Sequence, residues 1–206
     1  MSLKSGRKIP YTIQSPIDDL ILQVLETIGP YVGFNKHTPL LSPNMLTTSS
    51  LLVSIVGIYE ISRKNYKKGA ILTFIGYVFD CSDGYVARRF DMVTQFGDLY
   101  DHLSDILKLI FLLAIIFTLD IHRKTKILFM MVFGVFLILS FLYMGCVEHY
   151  YPGEVSVLTP LKMLCPDKSM IKYFRFTGTG FFFLVISLFI YNMEAIDDYI
   201  AEISQQ

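Results

Sequence analysis

The sequence predicts an all-α fold: a polytopic membrane bundle of five to six transmembrane helices, preceded by an N-terminal amphipathic interfacial helix. Three observations support this prediction. Hydrophobic residues make up 53% of the 206 residues and charged residues only 17%, whereas soluble domains carry about 25% charged residues. The mean hydropathy is +0.49. Five stretches are long and apolar enough to be read as bilayer-crossing helices, which need about 20 mostly apolar residues.

The first predicted helix lies within residues 15–34, in the membrane interface. Ser15 is a suitable N-cap and Pro16 suits the first helical turn. Apolar residues then recur near the helical period, with acidic residues on the other faces. Pro30 is expected to end the helix. A helix that packs on a soluble partner is the alternative interpretation.

Five predicted spans follow, joined by short or polar connectors. The fourth and fifth are uninterrupted apolar runs, whereas the second and third contain aspartates. Charged groups at that depth are costly in lipid, so these aspartates are expected to face a protein interior or a wet cavity. The predicted spans cover residues 46–61, 69–86, 99–119, 126–146 and 173–193.

Composition also limits the partners and the compartment. The formal net charge is +0, so nucleic acid is not an expected partner. The three cysteines lack the spacing of a metal site, and they are expected to be reduced and not joined in a disulfide. The basic N-terminal tail and the loop 147–172 are expected on the same side of the membrane as the aspartates. We predict that this is the cytoplasmic face of a multi-pass membrane protein.

The most informative residues stand at the end of the second span and the start of the third. Asp80 and Asp83 are spaced i, i+3, and Asp101 and Asp105 are spaced i, i+4, so each pair shares one helical face. The link between the two helices is short, so they are neighbours and bring four carboxylates to one place. Lys108 follows Asp105 by three residues; it either pairs with that carboxylate or extends to the interface.

Four carboxylates in a poorly solvated site repel one another, so they need cations. Oxygen ligands without a Cys or His partner of suitable spacing favour Mg²⁺ or Mn²⁺ over zinc. Two such ions about 4 Å apart form a clamp for a phosphoryl displacement. The small residues Gly84 and Ala87 let a substrate approach the helix backbone, and Gly97 does the same or lets the helices meet. Arg88 offers a fork of donors suited to a phosphate.

The pattern D-x2-D-G-x2-A-R-x8-G-x3-D-x3-D, which covers residues 80–105, resembles the signature of the class I CDP-alcohol phosphotransferase family at every fixed position. The resemblance implies transfer of a phosphate-linked group from a CDP-activated donor to an alcohol in phospholipid synthesis. It implies metal ligands at Asp80, Asp83 and Asp101, and a general base at Asp105. It also assigns a CDP pocket or substrate room to four residues: Gly84, Ala87, Arg88 and Gly97.

Two other segments resemble parts of the same family. Asn44 and Thr47 belong to a Pro-Asn-x-x-Thr segment that opens the first span, and the resemblance implies that they line the nucleotide side. Lys172 and Arg175, at the last predicted span, either bind a substrate phosphate or anchor the helix at the interface. Residues 1–40 would then be the tail and interfacial helix, and residues 41–206 the membrane domain of the family. The family likeness further implies a sixth span and a homodimer among membrane lipids.

Two interpretations of the donor and acceptor stay open. Phe96-Gly97 resembles phosphatidylinositol-synthase-like enzymes, in which CDP-diacylglycerol gives a phosphatidyl group to a small polar alcohol, of the inositol or glycerol phosphate type, with release of CMP. Asp101-His102 resembles choline and ethanolamine phosphotransferases, in which a CDP-aminoalcohol reacts with diacylglycerol. The short chain favours the first. A hypothesis of another class is a cation channel or carrier with intramembrane carboxylates, which leaves the glycine, alanine and arginine of the pattern unexplained.

Overall fold

A computed structural model describes residues 6–32, 42–153, 157–165 and 167–204. Every regular element in these ranges is helical, which confirms the all-α prediction. The predicted boundary between residues 40 and 41 lies outside the described residues. Short 3₁₀ turns occupy Thr159–Leu164, Lys168–Met170 and Arg175–Thr177. The helices are α1 (Pro16–Val32), α2 (Pro43–Ser62), α3 (Tyr66–Arg89), α4 (Gln95–Thr118), α5 (Arg123–Tyr150), α6 (Ile171–Phe174), α7 (Thr179–Tyr191) and α8 (Met193–Ser204).

Three helical stretches are long and apolar enough to cross a bilayer within the ranges given above: Pro43–Ser62, Arg123–Tyr150 and Ile171–Tyr191. They correspond to the first, fourth and fifth predicted spans. The second and third predicted spans correspond to α3 and α4, which have 24 residues each, or about 36 Å at 1.5 Å per residue. Their length suits a bilayer, but their charged residues make them less apolar than the other three.

Two predicted helix boundaries are wrong. Helix α1 continues past Pro30 to Val32, although Pro30 has no backbone N–H to donate within its last turn. The last predicted span is not one continuous α-helix. The turn Arg175–Thr177 and the extended Gly178 separate α6 from α7.

Helices α2 and α3 make the most extensive contact between any two described elements, and small residues allow it. The helices run antiparallel, and Lys64 closes their short link with a left-handed φ of 62°. A Cβ at Gly57 would lie 2.9 Å from the backbone nitrogen of Thr73, and one at Gly76 would overlap the hydroxyl of Ser54. Such small-residue contacts are typical of closely packed membrane helices. The first turns of α2 therefore lie directly against the aspartate-bearing end of α3.

The largest cluster of buried apolar residues fills the end of the bundle away from the aspartates. It joins the last turns of α2 and α4 to the first turns of α3 and α5 and to α7. Ile61, Ile116, Phe129 and Ile190 are fully buried there. Apolar burial thus holds one end of the bundle together and leaves the other end for polar chemistry.

The N-terminal segment before α1 crosses the aspartate end of the bundle, which is the side on which it was expected. The Tyr143 hydroxyl donates to the carbonyl of Ile13 at 3.0 Å and accepts from the backbone nitrogen of Ser15 at 3.0 Å. Lys8 forms an ion pair with Glu148 near the end of α5. These contacts tie the chain start to helices more than 100 residues away.

Helix α8 follows α7 in a segment for which no helix was predicted. Asp197 accepts hydrogen bonds from the backbone nitrogen of His122 and from the hydroxyl of Thr125, so α8 lies against the start of α5. Tyr199 and Ile203 are exposed on its surface. This helix lies at the end of the bundle opposite the aspartates.

The expectation that the cysteines are reduced is wrong for one pair. Cys146 and Cys165 form a disulfide, with their Cα atoms 4.6 Å apart. Gly145 allows this approach, because a Cβ there would overlap the carbonyl oxygen of Leu161 in the turn that precedes Cys165. Cys81 is the free cysteine of the described chain.

Candidate active site

Three of the four aspartates converge between α3 and α4. Carboxylate oxygens of Asp80, Asp101 and Asp105 all lie within 4.8 Å of one another. The two helices are joined by residues 90–94, in which Asp91 takes a left-handed φ of 58°. The tight reversal places the end of α3 beside the start of α4, so these three carboxylates meet as the spacing predicts.

Lys108 is the buried cation of this carboxylate group. Its side chain is 5% exposed, and its Nζ atom lies 2.6 Å from an oxygen of Asp80 and 2.6 Å from an oxygen of Asp105. It also donates to the Ser50 hydroxyl at 3.0 Å. Of the two alternatives that the sequence left for Lys108, pairing is therefore correct. One ammonium group compensates only part of the charge of three carboxylates.

Asp83 lies beside this group and is held separately. Its carboxylate accepts a hydrogen bond from the Thr47 hydroxyl, and both side chains are buried. The three carboxylates that lie closest together thus include Asp105, whereas the spacing predicted a group of all four and the family resemblance implied metal ligands at Asp80, Asp83 and Asp101. Thr47 holds Asp83 toward α2, whereas Lys108 binds Asp105 and Asp80 together. The assignment of Asp83 as a metal ligand stays a prediction.

A first cavity, of about 370 Å³, opens where the ends of α2, α3 and α4 meet. Most of the residues that the sequence pattern singled out share it, although they come from three helices. Eight of the predicted site residues line this cavity: Asn44, Thr47, Asp83, Gly84, Ala87, Arg88, Gly97 and Asp101.

The glycines of the pattern give close approaches in this first cavity. A Cβ at Gly84 would lie 2.9 Å from a guanidinium nitrogen of Arg88, so the glycine lets that side chain lie along the helix. The Nε atom of Arg88 donates to the carbonyl of Gly6 at 2.8 Å. A Cβ at Gly97 would lie 3.3 Å from the side-chain oxygen of Asn44. Gly97 therefore lets the starts of α2 and α4 meet as well as lining the cavity.

A second cavity, of about 250 Å³, adjoins the first. Asp101 and Arg88 line both cavities, whereas Asp80 and Asp105 line the second one. The carboxylate group therefore lies between two spaces, each of which could receive a different molecule.

The sequence profile described as CDP-alcohol phosphatidyltransferase matches residues 40–201. This chain belongs to the CDP-alcohol phosphatidyltransferase family. The match confirms the resemblance that the aspartate pattern carried, and it identifies the chain as a transferase of phospholipid biosynthesis in a membrane. Because the family is one of enzymes, the hypothesis of a cation channel or carrier is not supported.

Several relatives of this phosphatidyltransferase are named CDP-diacylglycerol–glycerol-3-phosphate 3-phosphatidyltransferase. The relative from Rickettsia felis is 29% identical over 154 residues, which are 70% of this chain and 81% of the relative. The relative from Rickettsia bellii is 30% identical over 135 residues, 64% of this chain and 70% of the relative. The relative from Aquifex aeolicus is 32% identical over 63 residues, 31% and 35% of the two chains. No solved structure matches the chain significantly.

The carboxylate group of this phosphatidyltransferase fits a divalent cation. The three ligand atoms are all oxygens, the donors that Mg²⁺ and Mn²⁺ prefer. Oδ1 of Asp101 is buried and has no hydrogen-bond partner among the described residues. A buried carboxylate oxygen without a donor is costly, and a cation bound by Asp80 and Asp101 would satisfy it.

Asp18 of α1 also lines the second cavity and joins α1 to α3 and α7. The Tyr77 hydroxyl donates to its carboxylate, and a Cβ at Gly180 would overlap one of its oxygens. Burial raises the pKa of Asp18 to about 6, although the hydrogen bonds from Tyr77 and the Gly180 backbone favour the charged form. Asp18 is therefore an internal acid between three helices.

Lys172 and Arg175 line neither of these cavities. Lys172 is exposed. Arg175 donates to the carbonyl of Thr12 and lies over the ring of Phe176, with its guanidinium carbon 5.1 Å from the ring centroid. The structure thus places Arg175 against the N-terminal segment. The prediction that these two residues bind a substrate phosphate is not supported by the cavities and remains a prediction.

Sequence reasoning missed two residues of the site. Ser50 is buried against Lys108. The sequence feature that could have predicted it is its position three residues after Thr47, on the same helical face. Glu148 lines the second cavity near the end of α5, and its signal was a carboxylate at the end of a long apolar run. Neither signal indicates which helix would face these side chains.

Proposed function

We propose that this enzyme transfers a phosphatidyl group from CDP-diacylglycerol to a small polar alcohol and releases CMP. The observation that carries the proposal is the first cavity, where eight residues of the family pattern and of the start of α2 lie around one space that includes Asp101. The names of the relatives, which state CDP-diacylglycerol as the donor and glycerol 3-phosphate as the acceptor, support the same donor here.

The first cavity is proposed to hold the CDP part of the donor. Arg88 provides guanidinium donors for the diphosphate, and Asn44 and Thr47 face the nucleotide from α2. Gly84 and Ala87 leave the backbone of α3 accessible to the ligand. The acyl chains would remain in the bilayer, which explains why the polar site lies at helix ends.

We assign Mg²⁺ or Mn²⁺, as two ions, to Asp80, Asp83 and Asp101. When bound, they would supply charge that neutralises the diphosphate and stabilises the departing CMP. The protein residues fix where this charge lies: Thr47 holds the Asp83 carboxylate, and Lys108 holds that of Asp80.

Asp105 is proposed to accept the proton of the attacking hydroxyl group. It lines the second cavity, so an alcohol there could reach its carboxylate without entering the donor cavity. The ion pair with Lys108 orients one Asp105 oxygen and leaves the other for the alcohol.

We further propose that α2, α3, α4, α5 and the α6–α7 stretch are five spans, that α1 lies in the interface, and that the protein is a homodimer. The aspartate face is assigned to the cytoplasm because the basic N-terminal residues Arg7 and Lys8 lie on it. The disulfide Cys146–Cys165 lies on that same face, and disulfides are typical of oxidising compartments. A sixth span has no counterpart in the ranges that the structure describes.

The test is an assay of the purified protein with labelled CDP-diacylglycerol, Mg²⁺ or Mn²⁺, and a panel of alcohols, in which CMP release is scored. CMP that forms only with an added alcohol supports the proposal. His102, which lines the second cavity, belongs to the dipeptide that resembles choline and ethanolamine phosphotransferases. Product from CDP-choline and diacylglycerol, without CMP from CDP-diacylglycerol, would select that alternative.

Asp105→Asn tests the proposed base. We expect kcat to fall by about 10²- to 10⁴-fold, since that is the usual contribution of a general base, while Mn²⁺ binding measured by calorimetry is retained. Asp120→Asn, at an exposed position on the opposite end of the bundle, should leave kcat unchanged. Normal turnover by Asp105→Asn would remove the base assignment.

A further inference from the structure

The N-terminal segment before α1 supplies the site with a basic residue that the family pattern does not contain. Lys8 lines both cavities, together with Arg88 and Asp101. Asp101 belongs to the carboxylate group and Arg88 to the family pattern, whereas Lys8 lies outside residues 40–201, which the family profile matches. A residue that lines both cavities lies where they meet, so Lys8 adds a positive charge of this chain's own to that boundary.

The ammonium group of Lys8 is held by a buried carboxylate. Its Nζ atom pairs with Oε2 of Glu148, which lines the second cavity. The side chain of Lys8 is 31% exposed and that of Glu148 only 1%, so the carboxylate lies behind the ammonium. An ammonium group has more than one N–H donor, and within the described chain Glu148 accepts one of them. The other donors of Lys8 are therefore left for an anion at short range.

Other contacts fasten the N-terminal segment on both sides of this ion pair. Before it, the carbonyl of Gly6 accepts a hydrogen bond from Nε of Arg88 at 2.8 Å. After it, Ile9 and Ile13 are buried in an apolar cluster at the end of α5. Because the segment is held without the ion pair, the distinct effect of Glu148 is to fix the place of the ammonium group.

The boundary between the cavities is where the reacting phosphate of the donor belongs. With the CDP part in the first cavity and the alcohol at Asp105 in the second, the phosphate that carries diacylglycerol lies between them. In the transfer, the alcohol oxygen bonds to the phosphorus of this phosphate and its proton passes to Asp105. The bond from that phosphorus to the CMP oxygen breaks, and CMP leaves with the electron pair. Fixed donors beside the outer phosphate oxygens stabilise the charge on this group.

We propose that Lys8 is a catalytic residue that binds the phosphate undergoing transfer, and that Glu148 is the positioning residue that holds its ammonium group. Lys8 acts by charge and hydrogen bonding, and it neither gives nor takes a proton in the step. The inference rests on the proposed function and deepens it, because it extends the active site to the N-terminal segment, beyond the residues that the family profile matches.

The first test measures CMP release from labelled CDP-diacylglycerol, with Mn²⁺ and the alcohol that yields the most CMP. For Lys8→Met we expect kcat to fall about 10²-fold, the usual loss when one donor to a developing negative charge is removed. Lys8→Arg keeps a cation and should recover at least tenfold of this loss. Lys68→Met is the matched control, because Lys68 is an exposed, ion-paired lysine at the opposite end of the bundle, and it should leave kcat unchanged.

The double variant Lys8→Met/Glu148→Gln separates catalysis from anchoring. Lys8→Met alone leaves a buried carboxylate unpaired, which destabilises the protein by itself, whereas the double variant removes both charges. We expect the double variant to regain unfolding temperature and to stay about 10²-fold below the wild type in kcat. Glu148→Gln alone keeps the ammonium group and should lose less turnover than Lys8→Met. Turnover restored in the double variant would show that the pair only anchors the segment, and would overturn the inference.

Calorimetric binding of CDP and of CMP in the presence of Mn²⁺ provides a readout that needs no turnover. The second phosphate of CDP would reach Lys8, and CMP lacks that phosphate. Lys8→Met should therefore weaken CDP binding about tenfold, the loss of one hydrogen bond to a charged group, and leave CMP binding unchanged. If this difference is seen but no alcohol yields CMP, the proposed function fails and the phosphate site at Lys8 stands. If the affinities for CDP and CMP change equally, the inference fails while CMP release still supports the proposed function.

Discussion

At the scale of single residues, charge compensation controls the aspartate site. Three carboxylates lie within a few ångströms of one another, and Lys108 is the side chain that pairs with two of them from a buried position. The lysine also holds Ser50, so it connects α2 to the α3–α4 pair. The ammonium group of Lys108 and bound divalent ions therefore both reduce the repulsion between these carboxylates.

Replacing this lysine tests the shared role. Without metal, Lys108→Met should lower the free energy of unfolding by about 3–5 kcal/mol, because it leaves buried charges without their partner. Added Mn²⁺ should restore part of this loss, and thermal unfolding in detergent with and without Mn²⁺ measures both. Lys68→Met, which removes an exposed pair with Glu60, should lower the stability far less, because an exposed ion pair is screened by solvent. An equal loss in the presence and absence of Mn²⁺ would contradict the role in charge compensation.

At the scale of elements, the contact between α2 and α3 positions the site. Thr47 and Ser50 reach Asp83 and the Asp80–Lys108 pair from α2 only because the two helix backbones are close. Small residues along both helices allow this close approach of the two backbones. The glycines far from the chemistry are therefore part of what shapes the aspartate site.

Gly76→Leu tests this contact. The first atom of the new side chain would overlap the Ser54 hydroxyl and lie 3.1 Å from the backbone oxygen of Ser50, so the rest of a leucine side chain fits only if α2 moves away from α3. We expect a loss of about 1–3 kcal/mol in stability, as for other overpacked interiors, and a fall in CMP release of at least tenfold. Gly134→Leu is the matched control in α5, because a Cβ there meets nothing within 4 Å. Comparable activity of the two variants would show that the α2–α3 distance does not position the site.

The stability of the contact between α1, α3 and α7 depends on pH because Asp18 lies there. Its pKa of about 6 lies above the value of about 4 that is normal for an unfolded chain, so the folded protein binds this proton more tightly. The stability contributed by protonated Asp18 is present below about pH 4 and is lost as the pH rises to about 6. The contact between these three helices should therefore contribute least to stability at neutral and higher pH.

Asp18→Asn should remove this dependence while keeping an oxygen that accepts from Tyr77. As the pH rises from 4 to 6, the free energy of unfolding of the variant should increase relative to that of the wild type by on the order of 1–3 kcal/mol. Above pH 6 the difference between the two proteins should stay constant. The difference in unfolding temperature between the two proteins, measured at each pH, checks this. A difference that is constant with pH would contradict the raised pKa.

At the scale of the whole molecule, the two ends of the bundle have different chemistry. The aspartate end carries both cavities, the N-terminal segment and the disulfide, whereas the other end carries the main apolar cluster and α8. If the proposed spans are correct, these ends lie on opposite faces of a membrane.

Single cysteines in a Cys81→Ser background test that arrangement. Met163→Cys places an exposed thiol at the aspartate end, and Lys68→Cys places one at the other end. With a membrane-impermeant maleimide on intact cells, Lys68→Cys should be labelled and Met163→Cys only after permeabilisation. The reverse pattern would place the site in the oxidising compartment that the Cys146–Cys165 disulfide suits. Labelling of both from one side would contradict the proposed spans.

The sequence by itself determined the all-α class and the cavity residues that follow from local geometry. Spacing along one helix and a short link between two helices are enough to bring Asp80, Asp101 and Asp105 together. The family pattern then placed its glycines, alanine and arginine around the same space. Such inferences succeed because helical periodicity and short loops leave few alternative arrangements.

Only the tertiary structure decided which distant segments complete the site. Lys8 and Glu148 are 140 residues apart, and the disulfide joins positions separated by 19 residues. Helical periodicity shows which side chains share a face, but it does not show which neighbouring helix that face meets. Partner choice depends on the packing of the whole bundle, so the second cavity and the Lys8–Glu148 pair beside it could be found only in three dimensions.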